Sequence, residues 1–140
     1  EAICLVAYMP MPMGTGGNTG SQAATLIIRG LAMGEVEPSD AAKVLWKEVR
    51  IGLIVGVILS AFNFARICIF DGYGVMIALT VCSAMLVIVV FAKIIGSMIP
   101  LLVKKINLDP ALIANPAISS ISDAVALSIY FLMASLFLGL

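Results

Sequence analysis

Residues Tyr73–Ile99, YGVMIALTVCSAMLVIVVFAKIIGSMI, form one apolar run with a single charged side chain, Lys93. A helix that crosses a bilayer needs about 20 consecutive apolar residues. A membrane barrel would instead alternate apolar and polar positions. The run therefore predicts a transmembrane helix, ended by Pro100. Three further stretches read the same way. Val49–Phe70 carries only Arg50 and Arg66, near its ends, and Pro116–Leu140 is apolar apart from a few polar positions. Ala2–Met33 is apolar but interrupted by Pro10, Pro12 and a glycine cluster. The expected fold is an all-α membrane protein, a polytopic helical bundle with four membrane segments.

Composition agrees. Of 140 residues, 62% are hydrophobic and 11% charged, against roughly 25% charged in an ordinary soluble domain. Mean hydropathy is +1.17. So few charges could not cover a soluble fold, and disorder needs the opposite composition. Net charge is zero, which leaves no basic surplus for nucleic acid. Histidine is absent, and with it the commonest proton shuttle. Cys4, Cys68 and Cys82 have apolar neighbours and no CxxC spacing; they read as small packing residues. With no His, no Ser/Lys pair at nucleophile spacing and no metal cluster, an enzyme is not expected.

Charge placement orients the chain. Arg29, Lys43, Lys47 and Arg50 lie between the first two segments, and Lys104 and Lys105 between the last two. Only Arg66 lies near the remaining loop. The positive-inside rule makes the first two of these loops cytoplasmic and the third external. Both ends of the chain then face outward. A start at Glu1, within an apolar stretch and without a signal peptide, is expected of a piece of a longer protein, with one helix upstream as the simplest parity. Pro38-Ser39-Asp40 reads as a helix start capped by Ser39 or Asp40, leading along the interface into the second segment. Its neighbours Glu35, Glu37, Lys43, Lys47 and Glu48 read as a solvated face. Lys93 is expected to snorkel to the nearby cytoplasmic surface. Gly52-x-x-x-Gly56 reads as a packing motif.

One carboxylate, Asp123, lies well inside an apolar span. Placing Asp there costs about 2.5–3.5 kcal/mol on insertion scales, so such residues face a bundle interior or a water-filled path. No Lys or Arg lies in its segment. Its natural partner is a transient cation or a proton. Asn115, Ser119 and Asp123 recur at i, i+4, i+8, with Ser122 and Ala126 alongside, and make an oxygen-rich stripe. Ile121, Val125 and Ile129 form the opposite face. The first segment offers a second wall, Pro12-Met13-Gly14-Thr15-Gly16-Gly17-Asn18-Thr19-Gly20-Ser21-Gln22. Irregular backbone at membrane depth must be buried in protein or line a cavity. Freed carbonyls with Asn18, Thr19 and Gln22 would replace part of an ion's hydration shell. Alternatively, Gly16-x-x-x-Gly20-x-x-x-Ala24 admits a neighbouring helix, and both can hold at once. The cluster is neither a dinucleotide fingerprint nor a Walker loop. An all-oxygen donor set favours a hard cation. Mg²⁺ keeps several waters, so one or two carboxylates suffice. A twofold dimer would bring two Asp123 side chains together, or one subunit would serve alone.

At these residues a resemblance emerges. Met13–Gln22, followed by Thr25 and Arg29-Gly30-Leu31-Ala32-x-Gly34-Glu35, resembles the signature of the MgtE family of magnesium channels. Asp109-Pro110-Ala111, Asn115-Pro116, Ser122-Asp123 and Tyr130-Phe131 are similar to that family's last transmembrane helix. The resemblance spans essentially the whole chain. It implies a homodimeric Mg²⁺ channel of the cell inner membrane, with five helices per subunit, conducting into the cell. It places the pore aspartate at Asp123, the pore asparagine at Asn115, a backbone oxygen ligand at Ser119 and the loop asparagine at Asn18. It puts Asp109 at the cytoplasmic mouth, a position that a helix cap would equally explain. Ser120 departs from the Thr often found there. Residues 1–140 are thus expected to be one transmembrane ion-conducting domain, outside which lie the family's cytoplasmic sensor domains and first helix. Mg²⁺ is both the transported and the bound ion. The other readings are a proton- or sodium-coupled secondary cation transporter and a structural membrane subunit.

Overall fold

The computed structural model describes residues 2–139, with side chains at all of these except Ala2, Ile113, Ala114 and Asn115. The described residues are helices and short connections, with no strand. The helices are α1 (Ala2–Tyr8), α2 (Pro10–Met33), α3 (Ala41–Arg66), α4 (Val75–Lys105) and α5 (Pro110–Leu138). Three helical stretches are long and apolar enough to cross a membrane: Pro38–Asp71, Val75–Lys105 and Pro116–Leu138. The expected first segment, Ala2–Met33, is helical almost throughout but is not among them. Its glycines and polar side chains dilute the apolar content, and its prolines divide it. Met9 stays helical, at φ −51° and ψ −43°, so α1 runs into α2. The division arises because Pro10 and Pro12 have no N–H to donate to the preceding turn.

Helix boundaries depart from expectation where proline was read as a stop. Pro100 and Pro116 lie inside α4 and α5. Within a membrane, neighbouring helices and local adjustment satisfy the carbonyl that a proline leaves free. Before α3, a 3₁₀ turn at Pro38–Asp40 is fixed by a capping box between Glu37 and Asp40, not by Ser39. After α3 the helix widens into a π turn, Ile67–Asp71, and Gly72 closes it at φ 67°.

Helix α4 is the hub, with α3 on one side and α2 and α5 on the other. Small residues make this possible. On α3, Val44, Glu48, Gly52, Gly56 and Ser60 are the buried positions, spaced four apart so that they fall on one stripe. A Cβ at Gly52 would stand 3.1 Å from the Val90 Cα, and one at Gly56 would stand 3.3 Å from the Leu86 carbonyl oxygen. Ser60 Oγ donates to the Cys82 carbonyl oxygen at 2.9 Å. Across α4, a Cβ added at Gly96 would fall on the Gly20 carbonyl oxygen. This contact is backbone to backbone. Near the end that holds Tyr8, the main apolar core gathers Ile67, Val81, Ile88 and Tyr130. The Tyr130 hydroxyl donates to the Leu5 carbonyl oxygen at 2.8 Å and ties α5 to α1.

Candidate functional site

The glycine cluster of the first segment is helical, which corrects the expectation of irregular backbone with freed carbonyls. Of its two readings, close packing is what the structure builds. Gly16, Thr19, Gly20 and Ala24 are buried, against α4 and α5. A Cβ at Gly16 would stand 2.7 Å from an Ile88 methyl, and one at Gly20 would stand 3.3 Å from Ser122 Oγ. Thr19 is therefore a contact residue. In hydrocarbon a helix keeps its backbone bonds because no water competes for them. Glycines that would break a helix in water become the close-approach points of a bundle.

The same helix turns its polar side chains the other way. Asn18, Gln22 and Thr25 are exposed. With Ser21 and Leu26 they line an open groove of about 630 Å³. Asp123 of α5 sits beside this face. Its Oδ1 is 3.9 Å from where a Cβ on Gly17 would stand, an ordinary van der Waals separation that sets the carboxylate against α2. Asp123 and Ser119 are both exposed. Among the described residues, Asp123 has no ion pair and no hydrogen bond. Ser122 and Ala126, expected on the stripe of Asp123, are buried instead. Their side chains lie on the turn facing α2 and α4, and Ser122 Oγ finds no hydrogen-bond partner there. The opposite face is not uniformly packed either: Ile129 is buried while Ile121 is exposed.

Asn115 lies on α5, but its side chain is outside the described residues. Asp109 is the N-cap of α5, its Oδ1 accepting from the Ala111 N–H at 2.9 Å. It borders a small cavity of about 130 Å³ with Ala32 and Lys104, at the end of the bundle that holds the basic loops. Asp123 and Ser119 are thus exposed on α5, Asn18 is exposed on α2 next to the Gly17 that Asp123 approaches, and Asp109 caps the start of α5. No three His, Cys, Asp or Glu side chains gather among the described residues. One subunit accordingly offers one carboxylate and neutral oxygens at this depth.

Sequence reading missed a buried charge pair. Lys93 Nζ lies 3.3 Å from Glu48 Oε2, and the two side chains are only 8% and 4% exposed. Neither the snorkelling expected of Lys93 nor the solvated face expected of Glu48 occurs. The signal was the four-residue period: Glu48 stands one step before Gly52 and Gly56 on the packing stripe. A second polar cluster lies at the opposite end of the bundle. The Tyr8 hydroxyl donates to Asp71, Arg66 pairs with Asp71 at 3.5 Å, and the Arg66 guanidinium sits 5.6 Å from the Tyr8 ring centre. These contacts bind α1, α3 and the turn before α4 around a cavity of about 600 Å³.

Comparison with known proteins agrees with the sequence signature. A family model described as "Divalent cation transporter", MgtE, matches residues 9–133. A protein of Thermus thermophilus named "Magnesium transporter MgtE" is 40% identical over 139 residues. Proteins of the same name from Enterococcus faecalis and Bacillus subtilis are 30% and 28% identical. Each alignment covers 99% of this chain and 30% of the relative, so the chain spans under a third of their length.

Proposed function

Because the chain belongs to the MgtE family of divalent cation transporters, we propose that residues 1–140 are the transmembrane ion-conducting domain of a Mg²⁺ channel of the inner membrane that admits the ion to the cell. The observation that carries this reading is the exposed Asp123 carboxylate, unpaired among the described residues, in the middle of an apolar helix. In lipid such a group would cost about 2.5–3.5 kcal/mol or more. A wet path carrying a cation removes that cost. Polar residues of α2 would extend the wet surface, with Asn18 and Gln22 lining an open groove on that helix. Packing the α2/α5 faces of two copies around a twofold axis would cover this surface and double the carboxylate. In this arrangement the Ala2–Met33 run crosses the membrane as a fourth segment.

One carboxylate per subunit, with hydroxyl and amide oxygens, suits an ion that retains its waters. Mg²⁺ dehydrates reluctantly and commonly binds through one or two carboxylates plus water. Asp123 attracts the ion; Asn18, Ser119 and Asn115 bond to its water shell. Contacts of this kind hold weakly enough for release, as conduction requires. Asp109, with one oxygen engaged as a cap, concentrates cations at the cytoplasmic end.

The test is Mg²⁺ flux into liposomes carrying the full-length protein. Asp123→Ala is expected to abolish flux while the protein still folds and dimerises. Unchanged flux rejects the site. Flux that requires an imposed proton or sodium gradient would assign Asp123 to a coupled transporter instead.

A further inference from the structure

Helix α3 presents a face that no other element covers among the described residues, opposite its Gly52/Gly56 stripe. At 100° per residue, Lys43, Lys47 and Arg50 fall within about 40° of one line, and all three are exposed. Trp46 flanks them and is 66% exposed. One turn further along the same line the surface becomes wholly apolar. Leu53, Ile54, Val57 and Ile58 line a shallow groove of about 330 Å³ there. Cations and an indole followed by an apolar trough reproduce, in order, the depth profile of a phospholipid. Trp is enriched at the headgroup level, and each Lys or Arg near an anionic membrane surface favours binding by about fivefold.

We propose that this face is a binding site for one anionic phospholipid. Its phosphate sits on Lys47 and Arg50, beside Trp46, and an acyl chain lies along the groove. Charge decides for an anionic lipid over a zwitterionic one. Of the acidic side chains near this part of α3, Asp40 is engaged by Lys43 at 3.1 Å. Glu48 lies on the opposite face with Lys93. Lys47 and Arg50 have no ion pair among the described residues, and this face offers no carboxylate to receive a choline or amine. The site is separate from Asp123, because α4 stands between α3 and the α2/α5 face.

Native mass spectrometry of the full-length protein in detergent tests it, with dioleoylphosphatidylglycerol and dioleoylphosphatidylcholine as probes. The expected result is preferential retention of phosphatidylglycerol. In K47Q/R50Q its affinity should fall by about 25-fold, two steps of about fivefold, towards that of phosphatidylcholine. Both positions are exposed, so the variant keeps its packed face. A second variant, Val57→Trp, keeps both charges and fills the groove; it too should lose phosphatidylglycerol. Equal retention of the two lipids by the native protein overturns the proposal, as a helix covering this face would. So does undiminished phosphatidylglycerol binding in either variant.

Discussion

Two side chains show how differently a charge is accommodated at membrane depth. Asp123 is exposed and unpaired among the described residues; Lys93 is buried against Glu48. The first was legible in sequence, because an acid without a nearby base in an apolar helix points to an outside partner. The second was not, because the neutralising group comes from another helix and only packing brings the two together. A buried pair is costly to break, since the survivor is left charged and dry, yet replacing both partners with apolar groups is often neutral. Lys93→Met is accordingly expected to destabilise the protein by about 3 kcal/mol, and Lys93→Met with Glu48→Met by less than about 1 kcal/mol. Denaturant unfolding in detergent measures both. A double variant as unstable as the single one would show that the charges do more than neutralise each other.

Among the elements, α2 departs most from its sequence reading. Asn, Thr and four glycines between Pro12 and Gln22 would mark a loop in water. Here α2 is helical, and its glycines differ sharply in their surroundings. Gly14 has open space where a Cβ would stand, whereas a Cβ at Gly96 of α4 meets the Gly20 backbone. Backbone cannot yield as a flexible side chain can. Gly96→Ala should therefore destabilise by about 2–3 kcal/mol. Gly14→Ala should leave stability unchanged or raise it by up to about 1 kcal/mol, through helix propensity. Thermal unfolding followed by circular dichroism compares them. Similar losses at both positions would show that the glycines serve flexibility, not close approach.

At the scale of the whole molecule, the bundle has two unlike outer surfaces. The α2/α5 side exposes Asn18, Gln22, Ser119 and Asp123, while the outer face of α3 is apolar below its basic collar. Only the first is badly matched to lipid, so a second copy is expected to cover it. A disulfide needs Cα atoms within about 7 Å, which makes cross-linking a sharp probe. With Cys4, Cys68 and Cys82 replaced by Ala, Ser120→Cys should give oxidised dimers on non-reducing gels of native membranes. Ile54→Cys should not. The reverse pattern would place the subunit contact on α3.

The apolar runs alone determined that this chain is helical and belongs in a membrane, because a bilayer excludes unsatisfied backbone and so enforces length and composition. The isolated carboxylate and the glycine signature likewise marked the candidate ion face and the family. Tertiary structure decided the rest: that the glycines pack and do not unwind, that Ser122 turns inward, and that Lys93 finds Glu48. These outcomes depend on which helix stands beside which. A linear pattern gives each helix its faces, but the choice of neighbour is settled by fit between surfaces distant in the chain.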